Sequence, residues 1–184
     1  MTVQFTELSR VMSHALRHEP WLYELELDQD GWVGLDQLLE ALRSLGPKWA
    51  SVDRAAVAHM IETSAKVRHE LDGDRVRALY GHSVPAVIRK QPATPPAELF
   101  HGTSPEAWEV IRGAGLVPMG RQYVHMSIDI ETALAVGGRK CESPVLLRVN
   151  AASAHASGAA FYAGNDMVWL ADAVPPEFLE QVQE

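Results

Sequence analysis

The chain has 184 residues, is 47% hydrophobic and 22% charged, and carries a formal net charge of −8. That composition is ordinary for one or two globular domains with a core large enough to need no staple, and the lone Cys141 excludes an internal disulfide framework and suits a reducing cytosol. No apolar run approaches the ~20 residues that span a bilayer, Met1 to Glu7 carries neither a basic nor an apolar leader pattern, and the acid excess argues against bulk nucleic-acid binding.

Phe5, Leu8, Val11, Met12, Ala15 and Leu16 recur at helical spacing, which predicts a helix over about 5–17, stopped by Pro20. Asp30-Gly31 marks a turn and Trp32-Val33 a very short strand. Leu35, Leu38, Leu39, Leu42 and Leu45 give a second helix, ended by Gly46-Pro47. Ser51 is a suitable N-cap for a third, carrying Val52, Ala55, Ala56, Met60 and Ile61. Residues 68–71 and 75–79 flank Asp72-Gly73-Asp74 as a hairpin. Three helices and a hairpin describe a winged-helix domain. Pro85, Pro92, Pro95 and Pro96 punctuate the best linker. Beyond it, strands are expected at Leu99–His101, Tyr123–Ser127, Pro144–Val149 and Met167–Leu170. Helices are expected at 105–113 and 129–136, the second capped near Ser127 or Asp129. Short strands with intervening helices make an α+β domain.

Charge is unevenly placed. Arg43 to Lys90 holds nine Lys and Arg against five acids, whereas Glu19 to Glu40 holds seven acids and no Lys or Arg. The first stretch reads either as a solvated surface or as a phosphate-binding face on an acidic protein.

Four short segments carry candidate chemistry. Arg17-His18 closes the first helix: a guanidinium fork can grip a phosphate while an imidazole moves a proton, although two cations also suit a solvated helix end. His14 and His18 stand at i,i+4, but no third ligand follows at useful spacing, so no metal is expected. In Val76 to Ser83, Arg77 lies between apolar neighbours and Gly81 allows a backbone N–H to approach an anion; a plain hairpin strand and turn is the other reading. In Phe100-His101-Gly102-Thr103, the glycine permits close backbone approach to a ligand and Thr103 adds a hydroxyl. Alternation places Arg121, Tyr123, His125 and Ser127 on one face of a strand, as a polar site or as a core tyrosine with a satisfied histidine. There is no GxGxxG, no P-loop and no Ser-His-Asp signature.

In combination and order, Leu16-Arg17-His18, Leu27 to Val33, Val76 to Ser83, Leu99 to Thr103, Arg121 to Ser127, Pro144 to Val149 and Val168 to Leu170 before Val174-Pro175-Pro176 resemble the RNA 2′-phosphotransferase family, best known from the last step of fungal tRNA splicing and also found in bacteria. The resemblance runs over nearly the whole chain. It implies a winged-helix RNA-binding lobe over 1–90 and an ADP-ribosyltransferase-like lobe over 91–184 that binds NAD. It carries the essential residues onto Arg17, His18, Arg77 and Arg121, and the NAD contacts onto His101, Gly102, Thr103, His125 and Ser127. Departures are Glu19 where Lys is common, Gln122 where His is frequent, Met126 for Leu, a broken pattern at Gly138-Arg139-Lys140-Cys141, and a loose match to Lys-Arg-Phe within 64–71.

The implied reaction has two steps. An internal RNA 2′-phosphate displaces nicotinamide from NAD; the ribose 2″-OH then attacks that phosphate and frees 2′-OH RNA with ADP-ribose 1″,2″-cyclic phosphate. Arg17, Arg77 and Arg121 are expected to cup the phosphate, His18 to move a proton in the second step, and no metal to be required. A monomer acting in the cytoplasm on a tRNA-like RNA is the expectation. A protein ADP-ribosyltransferase would place a catalytic Glu on the late strand, where Met167-Val168-Trp169-Leu170 has none. Transfer to terminal phosphates of RNA or DNA shares the first step. A winged-helix ligand-sensing regulator would need a basic recognition helix, yet residues 51–62 hold Arg54 alone beside Asp53 and Glu62.

Overall fold

The computed structural model describes residues 4–119, 121–139 and 141–182. The chain is α+β and divides into two compact units, one ending at Arg89 and the other beginning at Lys90. Among the described residues, no helix is long and apolar enough to cross a membrane.

In the first unit, α1 (Phe5–Arg17) buries Leu8, Met12, Ala15 and Leu16, a single stripe at helical spacing, and its last residue, Arg17, is buried too. β1 (Trp32–Gly34) leads directly into α2 (Leu35–Ser44), which buries Leu35, Leu38, Leu39 and Leu42. α3 (Arg54–Thr63) begins later than expected. Its cap is Asp53, whose carboxylate accepts from the Ala56 N–H at 2.8 Å; Ser51 lies outside the helix. β2 (His69–Asp72) and β3 (Arg75–Ala78) form the hairpin around Gly73-Asp74. β1 adds to its other side, so the sheet order is β1-β3-β2, all antiparallel. Register puts Val33, Leu71 and Val76 on the face that meets the helices, and Trp32, Glu70 and Arg77 on the other.

The second unit is built on β4 (Glu98–Thr103), β5 (Val124–Ser127), β6 (Val145–Asn150), β7 (Phe161–Ala163), β8 (Val168–Ala171) and β9 (Leu179–Gln181), in antiparallel order β7-β8-β5-β4-β6-β9. The helices are α4 (Pro105–Ala114), α5 (Ile130–Gly137) and α6 (Ala151–Ala156), with Ser104, Asp129 and Asn150 as their side-chain caps. Leu99, Val124, Met126, Leu147, Val149 and Ala171 form the buried face of the sheet, with Phe161 and Ala154 in the same core. β4 and β6 pair along their whole lengths, whereas β4 meets β5 at a single register pair, Phe100 opposite Ser127.

Candidate functional site

In the first unit, Arg17 and His18 lie where α1 ends, and the segment after β3 folds back onto them. The Ser83 N–H donates to the Arg17 carbonyl at 2.8 Å, and Ser83 Oγ lies 2.8 Å from His18 Nδ1. Gly81 makes the return turn at φ +85°, a conformation that a side chain resists. The Arg17 guanidinium donates to the Arg68 carbonyl at 3.2 Å and lies 5.0 Å from the centre of the Tyr80 ring. The neighbouring His69 is buried and within 3.1 Å of Ser13 Oγ. Burial, then the charges of Arg17 and Arg68, push its pKa down to about 3. Both cations therefore bear on the same spot.

Arg77 has different neighbours. Its Nε and Nη2 both meet Glu70 Oε2 at 2.7 Å, and its guanidinium lies 4.4 Å from the Trp32 ring centre. Arg77 is thus held by a carboxylate across the strand pair, while Arg17 is held by the backbone carbonyl of Arg68. Tyr80 and Ser83 lie within the Val76–Ser83 segment, whose spacing alone gives them no role. Five of the nine basic residues from Arg43 to Lys90 meet an acid: Lys48 with Glu7, Arg54 with Asp74, Arg75 with Asp72, Arg77 with Glu70 and Arg89 with Asp30. Glu19, which stands where Lys is common, turns its carboxylate to His14 Nε2 at 3.0 Å, and the Tyr23 hydroxyl lies 3.0 Å from His14 Nδ1. Of the metal-like pair read in sequence, His14 thus meets Glu19 and Tyr23 while His18 meets Ser83. Among the described residues, no group of His, Cys, Asp and Glu is arranged to hold a metal ion.

In the second unit, hydrogen bonds bring His101, His125 and Arg121 together where β4 and β5 part. His101 Nδ1 donates to the His125 carbonyl at 2.8 Å. His125 Nδ1 donates to the Tyr123 carbonyl at 2.9 Å, and its Nε2 lies 3.4 Å from Arg121 Nη1. A carbonyl only accepts and a guanidinium only donates, so these contacts suit the Nδ1–H tautomer of His125. Register and alternation place His125 and Ser127 on one face, whereas His101 and Thr103 share the other with Leu99. Thr103 and Ser127 are both buried, at 6% exposure. Arg121 precedes β5 rather than lying within it.

Gly102 needs a different explanation from the one its sequence suggested. A Cβ built there would stand 2.1 Å from the Ala133 carbonyl oxygen of α5. The missing side chain makes room for α5. The Gly138–Cys141 departure falls partly at Lys140, outside the described residues.

Residues 4–173 match the model of the RNA 2′-phosphotransferase, Tpt1/KptA family. The chain is 51% identical over 175 residues to a Bacillus thuringiensis subsp. konkukian protein named "Probable RNA 2′-phosphotransferase", covering 95% of this chain and 94% of the relative. A protein of the same name from Acetivibrio thermocellus is 49% identical over 177 residues, covering 96% and 97%. Another, from Streptomyces griseus subsp. griseus, is 40% identical over 182 residues, covering 94% of each chain.

Proposed function

The chain belongs to the RNA 2′-phosphotransferase, Tpt1/KptA family, and from that premise we propose that it removes an internal 2′-phosphate from RNA by transferring it to ADP-ribose supplied by NAD. The observation that best supports this is the end of α1, where Ser83 ties Arg17 and His18, the Arg17 guanidinium holds the Arg68 carbonyl, and the charges of Arg17 and Arg68 both act on the adjacent His69. Two cationic side chains and a hydrogen-bonded imidazole suit a phosphate that must first be held and then relieved of an RNA oxygen.

Arg17 and Arg68 supply fixed positive charge for the 2′-phosphate. Arg77 shapes the hairpin through Glu70 and Trp32 and joins the phosphate only if Glu70 gives it up. His18 moves the proton of the second step. In the second unit, Arg121 is the catalytic arginine, and its cationic fork suits the phosphate groups of the reaction. His101, Thr103, His125 and Ser127 offer donors and acceptors suited to a dinucleotide's ribose hydroxyls, while Gly102 contributes through helix packing. The first step places little demand on acid catalysis, because nicotinamide leaves from a cationic ring as a neutral molecule. The protein's work there is orientation and charge balance.

Incubating the protein with NAD and a short RNA bearing one internal 2′-phosphate tests the reading. Release of nicotinamide, 2′-OH RNA and ADP-ribose cyclic phosphate is expected. ADP-ribosylated RNA that persists would restrict the activity to the first step. Modification of a terminal phosphate in preference to the internal one would replace the reading with terminal ADP-ribosylation.

A further inference from the structure

We propose that Ser83 is a positioning residue for His18, holding the imidazole through a hydroxyl that serves both of the ring's protonation states. The inference rests on the transfer reaction proposed above and adds a residue to its second step.

Ser83 is tied twice to the end of α1, by its N–H to the Arg17 carbonyl and by Oγ to His18 Nδ1, each at 2.8 Å. Its own placement is fixed from the other side. Gly81 turns the chain at φ +85°, and His82 is buried at 2% exposure against Gly31, where an added Cβ would stand 3.4 Å from His82 Nε2. The hydroxyl therefore sits on an anchored segment, 65 residues along the chain from the ring it touches.

In the second step the ribose 2″-oxygen forms a bond to phosphorus and loses its proton. The bond from phosphorus to the RNA 2′-oxygen breaks, and that oxygen gains a proton. An imidazole that takes the first proton or gives the second ends the step in its other protonation state and resets through solvent. The ring thus visits both states in every turnover. With the proton on Nε2 alone, Nδ1 needs a donor; when the ring is protonated, Nδ1–H needs an acceptor. A hydroxyl can be either, whereas a backbone carbonyl can only accept.

His14 also has a hydroxyl at Nδ1, that of Tyr23 at 3.0 Å, but its Nε2 is taken by the Glu19 carboxylate at 3.0 Å. His101 and His125 each give Nδ1–H to a carbonyl, and His125 Nε2 faces Arg121, so a proton there would meet a guanidinium. His69 has a hydroxyl partner in Ser13, but burial and the charges of Arg17 and Arg68 keep it neutral. Charged and titratable groups near His18 include its chain neighbours Arg17 and Glu19 and the His14 ring, 6.1 Å away between centroids.

The test compares Ser83→Ala and Ser83→Thr in the full chain. It times nicotinamide release and formation of 2′-OH RNA separately, across pH, and reads the His18 tautomer by 15N NMR. Ser83→Ala should slow the second step by roughly ten- to a hundredfold, part of what a general acid or base contributes. The first step and the KM for RNA should change little, the second-step pH profile should shift, and Ser83→Thr should restore both rate and profile. Equal loss in the two steps, or an unchanged profile and tautomer in Ser83→Ala, overturns the proposal. If Ser83→Ala does not fold, Ser83→Cys takes its place: nearly isosteric but a weak hydrogen-bond partner, it must reproduce the second-step defect. A wild-type protein that releases no nicotinamide would instead sink the parent reaction, leaving the tautomer measurement to report on the contact itself.

Discussion

Gly102→Ala separates a glycine that admits a ligand from one that admits a helix. The new methyl carbon would lie 2.1 Å from the Ala133 carbonyl oxygen and 3.1 Å from the Gly137 amide, both on α5. Ordinary contact begins near 3.4 Å, so α5 and β4 must separate by roughly 1.3 Å along that direction. The obstacle is backbone on both sides, and no rotamer relieves it. Gly137 is itself pressed close, since a Cβ on it would meet Pro144 at 2.8 Å, so the helix has little freedom to slide. Overpacking of this kind costs about 1–3 kcal/mol when side chains can yield; rigid backbone argues for the upper end, about 3 kcal/mol. For a protein of this size that is a fall in Tm of roughly 6–12 °C. Thermal unfolding by circular dichroism would measure it, with NAD affinity by calorimetry well below the transition. The expected result is a large drop in Tm with affinity kept within a few-fold. An unchanged Tm with affinity lost would refute the packing argument and return Gly102 to the ligand.

Arg68→Ala should reduce turnover more than a hundredfold and Arg77→Ala less than tenfold, in single-turnover assays on 2′-phosphorylated RNA; the reverse order would put Arg77 on the phosphate after all. His69 has its pKa lowered from 6.5 to about 3, so between those values the unfolded chain binds a proton that the folded one does not. Its contribution to stability is complete above about pH 6.5 and is lost as pH falls toward 3, with a slope of at most ~1.4 kcal/mol per pH unit. Denaturant melts across that range should show a shallower dependence in His69→Gln than in wild type, and parallel curves would count against the buried neutral ring. Turnover should be unchanged by EDTA, because arginines supply the positive charge; a loss restored by Mg²⁺ would reveal a metal requirement.

The parts of the fold that the sequence made plain are those governed by one local rule. α1, α2 and the hairpin follow from a single buried stripe, a Gly-Pro stop and a Gly turn. The start of α3 was misplaced by two residues, because Ser51 and Asp53 are equally good caps in sequence and only Asp53 reaches the Ala56 N–H. α6 went unseen because Ala151-Ala152-Ser153-Ala154 has no amphipathic period, and β7 and β9 because three residues carry no alternation to read. At the site, Arg17 and His18 could be named from sequence. What holds them could not, because Ser83 and Arg68 reach them only through tertiary folding. Glu70 was closer to hand: once the hairpin turn at Gly73-Asp74 is fixed, counting back along both strands puts Glu70 opposite Arg77. Gly102 is ambiguous in sequence because a missing side chain looks the same whether a ligand or a helix takes its place.

The single register pair between β4 and β5 has a mechanical consequence. The six strands amount to two three-stranded ribbons, β7-β8-β5 and β4-β6-β9, stitched at Phe100 and Ser127. Opening that seam breaks few backbone hydrogen bonds, so it should occur at lower free energy than unfolding of either ribbon. Amide exchange would register it as early deuterium uptake along the β4–β5 edge, while the β4–β6 ladder stays protected. Any molecule that bridges the seam acts as a second stitch, slowing that exchange and raising the melting temperature with its concentration.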